Sequence, residues 1–369
     1  MSFYNTLEQF DHFDFSSFFN SVSDDRVRDC LTKEYLNAYD FLTLLSPKAG
    51  NHLEMIAKVA QKKTIQYFGK TIQLFAPLYI SNYCTNKCIY CGFNHANVID
   101  RRKLTIEEIE KEAKAISSRG IQHILLLTGE SRQATPMEYL LEAVKCLKHY
   151  FASVSIEIFP LECHEYVLLQ QAGVDGLTLF QEVYDKVIYD KVHLAGKKKD
   201  YHYRLDAPER GAMAGFRNVN IGALLGLGEM RSEFFFTGLH ARYLDDKYLD
   251  TEVAVSLPRF NPAECDFHPE FPVNDKTFVQ FLLAFRLFFP RAGITVSTRE
   301  NAYMRDHLIH LGATRFSAGV STSVGGYAQH QDQSTPQFEI TDGRSVEEVV
   351  SAISSNGYQP VYKDWDRAI

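Results

Sequence analysis

Three of the seven cysteines, Cys84, Cys88 and Cys91, fall within eight residues and are spaced C-x3-C-x2-C. Thiolates on one short loop can converge on a single metal centre without a second chain crossing. The remaining cysteines, Cys30, Cys146, Cys163 and Cys265, are single and scattered, and read as plain buried thiols. A structural zinc site asks for four protein ligands, usually two close pairs, and there is no second pair. His95, four residues past Cys91, is the one neighbour able to complete a zinc set. An iron–sulfur cluster with one iron left open to a small molecule needs no fourth residue, and the spacing suits it best.

With Tyr90 just before the last cysteine, the loop reads C-x3-C-x-aromatic-C and resembles the cluster loop of the radical S-adenosylmethionine (SAM) superfamily. The resemblance implies a [4Fe–4S] cluster on Cys84, Cys88 and Cys91. It also implies SAM chelating the open iron through its amino and carboxylate groups, with Tyr90 at that centre.

These residues need a frame to hold them. The chain has 369 residues and 45% hydrophobic content, enough for one large core or two modest ones. A formal net charge of −7 argues against a nucleic-acid partner. The run Lys197-Lys198-Lys199 reads as a solvated loop. Neither a signal-peptide pattern nor an apolar run of about 18 residues is present, so no membrane association is expected. An odd cysteine count without a secretion signal points to the reducing cytoplasm.

Residues 1–72 read as a helical extension. Asp24 and Asp25 are expected to cap a helix through Tyr39, with another from about 51 to 67. Residues 73–369 alternate. Eight β-rich runs are expected near 74–81, 121–128, 153–159, 174–180, 218–225, 252–258, 292–298 and 314–320. Helix-period segments lie between them, such as 105–119, opened by a Thr105–Glu108 capping box, then 136–150, 275–289 and 301–311. The expected fold is an α/β, (βα)8 TIM-type barrel with a C-terminal tail. An open doubly wound sheet is less suitable, because no G-x-G-x-x-G follows the first strand. A barrel puts chemistry at the C-terminal ends of its strands, and the cysteine loop follows the first.

The other strand ends extend the resemblance. Thr128-Gly129-Glu130 looks like the element that binds the SAM amino group, and Ser155 and Glu157 like the strand that binds its ribose. Glu182 and Arg204 resemble a glutamate and an arginine that hold the methionyl end, with a bidentate pairing between them. Gly222 and Leu224 fall in a G-x-I-x-G-like element beside the adenine. Ser297 and Arg299, after the seventh strand, and Ser317 and Ser321, around the eighth, are candidates for substrate carboxylate and amine contacts. The alternative for Arg299 is a bridge to Glu300 or a helix cap. His95, His123 and His202 read as ordinary packed or surface histidines.

In finer grain the chain resembles one family over nearly its whole length, the thiamine-pathway tyrosine lyases or 2-iminoacetate synthases. The segments 180–184, 203–205, 222–227, 297–300, 337–340 and 362–366 carry this likeness. The family implies that a flavodoxin or ferredoxin reduces the cluster and that SAM then splits to methionine and a 5′-deoxyadenosyl radical. A hydrogen leaves the amino group of L-tyrosine, and the Cα–Cβ bond breaks to p-cresol and 2-iminoacetate for thiazole synthase. The related [FeFe]-hydrogenase maturase adds a C-terminal cysteine motif, whereas the last cysteine here is Cys265. A biotin-synthase-like or deazaflavin-type enzyme would be told apart by its product, and a non-catalytic cluster protein by the absence of turnover.

Overall fold

A computed structural model of the chain describes residues 2–328 and 334–363. The motif residues 364–366 therefore lie outside the described residues. The expected runs form parallel strands: β1 Thr71–Ser81, β2 His123–Thr128, β3 Ser153–Glu157, β4 Gly176–Thr178, β5 Asn218–Gly222, β6 Glu252–Ser256, β7 Gly293–Val296 and β8 Arg315–Ser317. They hydrogen-bond in sequence order, and β1 pairs with both β2 and β8, so the barrel closes. A ninth strand, β9 Gln359–Val361, extends the sheet outside the ring by pairing with Thr71–Gln73. The sequence places this segment in a tail; the eleven-residue length of β1 gives it an edge to join.

Helices Ile106–Ser117, Met137–Lys148, Asp275–Phe288 and Ala302–Leu308 follow the expected periodic segments, with tighter ends. Thr105 and Glu108 form the reciprocal capping box expected of them. The N-terminal region departs from expectation. Ser23, not Asp24 or Asp25, caps a helix that stops at Thr32, and a second helix, Ala38–Leu45, starts with an Asn37–Asp40 capping box. Two caps fourteen residues apart satisfy the backbone better than one continuous helix would. Phe41 on the second helix stacks on Phe288 at 4.4 Å, and Gly238 leaves room for its ring. A Cβ on Gly238 would sit 2.3 Å from Phe41 Cε1.

Alternation along each strand buries one set of side chains against the helices, among them Ile72, Leu74, Ile124 and Val154. The opposite set faces into the barrel, where branched apolar residues usually dominate. Here it includes Ser155 and Glu157 of β3, Asn218 and Asn220 of β5, Thr295 of β7 and Ser317 of β8. The interior is consequently a polar-walled cavity opening at the C-terminal strand ends. Among the described residues no helix is long and apolar enough to cross a membrane.

Candidate active site

The cysteine loop leaves β1 and is held from three sides. Thr85 N–H donates to the Glu130 carbonyl at 3.0 Å. Lys87 exchanges backbone hydrogen bonds with Leu194 and Ala195, each 2.9 Å, and Ile89 N–H reaches the Val192 carbonyl at 3.1 Å. Arg101 stitches the far end, donating to the carbonyls of Asn82, Phe93 and Asn94. Beneath the loop Tyr90 is buried, its hydroxyl 2.8 Å from His193 Nε2. His193 Nδ1 meets the Tyr189 carbonyl at 2.9 Å, and burial together with Lys198 and Arg204 pushes its pKa down to about 2. The ring is thus neutral: Nδ1–H donates to Tyr189 and Nε2 accepts from Tyr90.

Burial raises all three thiols; Cys91 and Cys84 push Cys88 further, while Glu130 does so for Cys84. Cys91, with Cys84 beside it, reaches about 11. A single ion needs donors gathered at one point, and among the described residues no three of His, Cys, Asp and Glu are so gathered. A cluster takes one thiolate per iron, a demand that a spread set of three can meet. His95 turns its Nδ1 to the Cys84 carbonyl at 3.1 Å and is exposed. Cys30 is buried as expected, but Cys146, Cys163 and Cys265 are only half-buried.

Next to the thiols four charges interlock. Arg204 Nη1 donates to Glu130 Oε1 at 2.8 Å, and its Nη2 lies 3.6 Å from Glu182 Oε1. The expected bidentate Arg204–Glu182 pair is therefore not formed, because Glu130 takes the closer position. Lys198 Nζ pairs with Glu182 at 2.7 Å instead. The lysine run does not stay in solvent as expected: Lys197 and Lys199 are exposed, while the Lys198 side chain is only 11% exposed. Gly196, at φ +91°, sets this register. A Cβ there would strike Asn86, whose Oδ1 accepts from Lys198 N–H at 3.0 Å. Burial alone would raise the Glu130 carboxyl, but Arg204, Lys198 and an Asn86 Nδ2–H hydrogen bond of 2.7 Å hold it below the usual range.

Two backbone details fix this corner. Glu182, at φ +72°, is the one non-glycine positive-φ residue among those described, and such strain persists only where the surroundings enforce it. Here Leu224 N–H bonds the Glu182 carbonyl at 2.8 Å. Gly129 passes so close to the Tyr83 carbonyl that a Cβ would come within 2.3 Å of its oxygen.

The cavity wall holds Tyr90, Ser155, Glu157, Glu182, Leu224, Ser297, Arg299 and Ser317 together. Gly129, Glu130 and Arg204, like Cys84 and Cys88, lie beside it rather than on it, and Thr128, Gly222 and Ser321 also stand off it. Thr128 points its hydroxyl into buried surroundings with no partner among the described residues. Gly222 packs against the Ser256 carbonyl. Ser321 turns away to accept from Ser323 N–H, and Thr322 takes the place on the wall. Burial and the nearby Glu182 raise Glu157 to about 7. Arg299 does not bridge to Glu300, which pairs with Arg259. Its guanidinium lies 3.5 Å from the centre of the Phe338 ring and has no ion pair among the described residues. Burial pulls it below its ordinary pKa, countered by Tyr79 and Glu182.

Sequence reading missed several residues of the wall. Tyr79 donates its hydroxyl to Gln337 Oε1 at 2.8 Å, and Gln337 Nε2 lies 3.9 Å from Cys91 Sγ. Tyr79 alternates with Pro77 and Phe75 along β1, so strand periodicity could have found it; Gln337 carries no local signal. Asn220 and Ser317 each leave a buried oxygen without a partner among the described residues, facing a cavity that would receive a polar ligand.

Residues 78–237 match the family model described as "Radical SAM superfamily", and residues 256–359 match "Biotin and Thiamin Synthesis associated domain". A 2-iminoacetate synthase of Salmonella typhimurium is 38% identical over 341 residues, covering 92% of this chain and 90% of that protein. A 3-methylornithine synthase of Methanosarcina acetivorans is 32% identical over 197 residues, 51% of this chain and 53% of its own. Among solved structures, the FeFe-hydrogenase maturase HydG from Carboxydothermus hydrogenoformans superposes with a TM-score of 0.85 at 31% identity. That match covers 98% of this chain and 83% of the maturase.

Proposed function

Because the chain belongs to the 2-iminoacetate synthase family of radical SAM enzymes, we propose that it cleaves the Cα–Cβ bond of L-tyrosine to 2-iminoacetate and p-cresol, with methionine and 5′-deoxyadenosine as co-products. Bound together, a [4Fe–4S] cluster and SAM supply one-electron chemistry able to take a hydrogen atom from a substrate. Cys84, Cys88 and Cys91 would hold the cluster. The methionyl end of SAM, an ammonium beside a carboxylate, would meet Glu130, Glu182 and Arg204, with Lys198 balancing the acids. Ser155 and Glu157 offer acceptors to the ribose. Leu224, on the cavity wall, would flank the adenine, with Gly129 and Gly222 packing the backbone behind it, Thr128 beside them and Tyr90 beneath.

The observation that carries the substrate reading is Arg299, a half-buried guanidinium on the cavity wall with no ion pair among the described residues. Such a cation is costly unless a ligand anion completes it, and an amino-acid carboxylate does so bidentately. Ser297 and Ser317 would add hydroxyl contacts to the carboxylate and amine; Ser321 has no such part from its place off the wall. Leu125, Leu127 and Phe260 provide apolar wall for an aromatic ring. Holding the amino acid by its carboxylate sets which hydrogen faces the reacting centre, and ligands filling the barrel mouth would keep water out.

The product imine hydrolyses readily in water, so transfer to a thiazole synthase for the thiazole moiety of thiamine fits its chemistry. A flavodoxin or ferredoxin in a reducing cytoplasm would supply the electron. Arg299→Ala tests the site. Tyrosine turnover is expected to fall by two orders of magnitude or more while SAM cleavage persists, as for loss of one partner of a buried ion pair. Equal loss of both activities would remove the clamp.

A further inference from the structure

Gln337 joins the cavity wall from beyond the last barrel strand, and its backbone is pinned on both sides. Its N–H donates to the Thr322 carbonyl at 3.2 Å, and its carbonyl accepts from Gly92 N–H at 3.3 Å. Gly92 directly follows Cys91, and the approach is so close that a Cβ on Gly92 would lie 2.7 Å from the Gln337 carbonyl oxygen. The side chain is held as well. Buried Tyr79 donates its hydroxyl to Gln337 Oε1 at 2.8 Å, which leaves Nε2 turned to Cys91 Sγ at 3.9 Å. The opposite amide orientation would set an acceptor oxygen against the sulfur, itself an acceptor once it is a thiolate ligand. The next residue, Phe338, stacks on the Arg299 guanidinium, and its carbonyl accepts from Thr322 Oγ1 at 3.0 Å. Two neighbours in one short segment thus reach two different parts of the site.

We propose that Gln337 is a positioning residue that acts through Cys91, its amide N–H setting the reduction potential of the cluster held there. The inference rests on the reading that Cys84, Cys88 and Cys91 hold a redox cluster, and adds a residue that tunes it. Reduction puts negative charge on a cluster and its sulfurs, so an N–H aimed at a ligating sulfur favours the reduced form and raises the potential. Gln337 and Cys91 are both half-buried, where water screens such a contact less than at the open surface. An amide that only fastened this segment to the barrel mouth would leave the potential unmoved when replaced.

The test uses the full chain reconstituted with iron and sulfide, its potential read by a redox titration followed by electron paramagnetic resonance, without SAM or tyrosine. Q337E keeps an acceptor for Tyr79 and swaps the donor for a carboxylate oxygen. Its reduced-to-oxidised ratio at a fixed potential is expected to fall at least tenfold, a downward shift of about 59 mV or more for one electron. Q337A removes the donor without adding charge, and is expected to shift the same way by less. F338L loosens the neighbouring contact and keeps the amide. Its tyrosine binding, read by anaerobic equilibrium dialysis, is expected to weaken severalfold while the potential stays at the wild-type value. Unchanged potentials in both Gln337 variants, an upward shift in either, or an F338L shift equal to that of Q337A would each overturn the role of the amide. A wild-type chain that takes up no cluster would overturn the cluster reading and this role together, whereas a cluster whose potential ignores Gln337 overturns this role alone.

Discussion

Lys198 Nζ lies 2.7 Å from Glu182 Oε1, joining the strap that braces the cysteine loop to the residue held in a left-handed backbone. Both side chains are nearly buried, at 11% and 12% exposure. Removing Lys198 leaves Glu182 only the longer, 3.6 Å contact to Arg204, and loss of one partner of a buried pair costs about 3–5 kcal/mol. Lys198→Met is expected to lose stability on that scale in urea unfolding of the apoprotein and to weaken SAM binding at least tenfold. Adding Glu182→Gln should restore much of the stability but not the binding. An unchanged unfolding midpoint in the single variant would contradict the pairing.

Tyr90 and His193 make a second, neutral pair under the loop. Tyr90→Phe leaves the Nε2 of a fully buried imidazole without its donor, a loss of about 1–3 kcal/mol. Denaturant unfolding should show this at neutral pH. Tyr90→Phe with wild-type stability would mean that Nε2 finds another donor.

Gly129→Ala should act on the site more than on the fold. Its Cβ would displace the Tyr83 carbonyl, and with it the Thr85–Glu130 link that ties the cysteine loop to the second strand end. Equilibrium binding of SAM is expected to fall by about tenfold or more, with a smaller change in unfolding. Wild-type SAM affinity would show that the backbone has slack there.

Stability should decline between about pH 6.5 and 8. Burial raises Glu157 to about 7 and Glu233 to about 8, so above the ordinary carboxyl range the unfolded chain binds fewer protons and stability falls as pH rises. His193 and His240 are pushed down to about 2 and about 3, which makes stability rise with pH up to their ordinary value near 6.5. The two effects oppose each other below that pH, and above it the glutamates act alone. Each contributes a slope of up to about 1.4 kcal/mol per pH unit. Glu233→Gln should flatten the decline, leaving mainly the part below pH 7. A pH-independent wild type over this range would refute the assignment.

The barrel was legible because eight apolar runs alternate with capped helices, and the cysteine loop because its spacing is rare and local. What escaped depended on register or on distance. Lys198 sits in a run of three identical residues, and only the conformation of Gly196 decides which one turns inward. Ser321 and Thr322 differ by a single position, which reverses the side that faces the cavity. Gln337 reaches the site from beyond the last barrel strand, where no periodicity points at it. The break between Thr32 and Ala38 was signalled by Asn37 and Asp40, a capping pair hidden by the polar stretch before it.

The most direct measurement is anaerobic. The protein is reconstituted with iron and sulfide and given SAM, a strong reductant and L-tyrosine, and p-cresol and 5′-deoxyadenosine are quantified beside Cys88→Ala. Both products from the wild type and neither from the variant are predicted. Deoxyadenosine without p-cresol would contradict tyrosine cleavage, and neither product from a cluster-loaded chain would contradict the catalytic reading altogether.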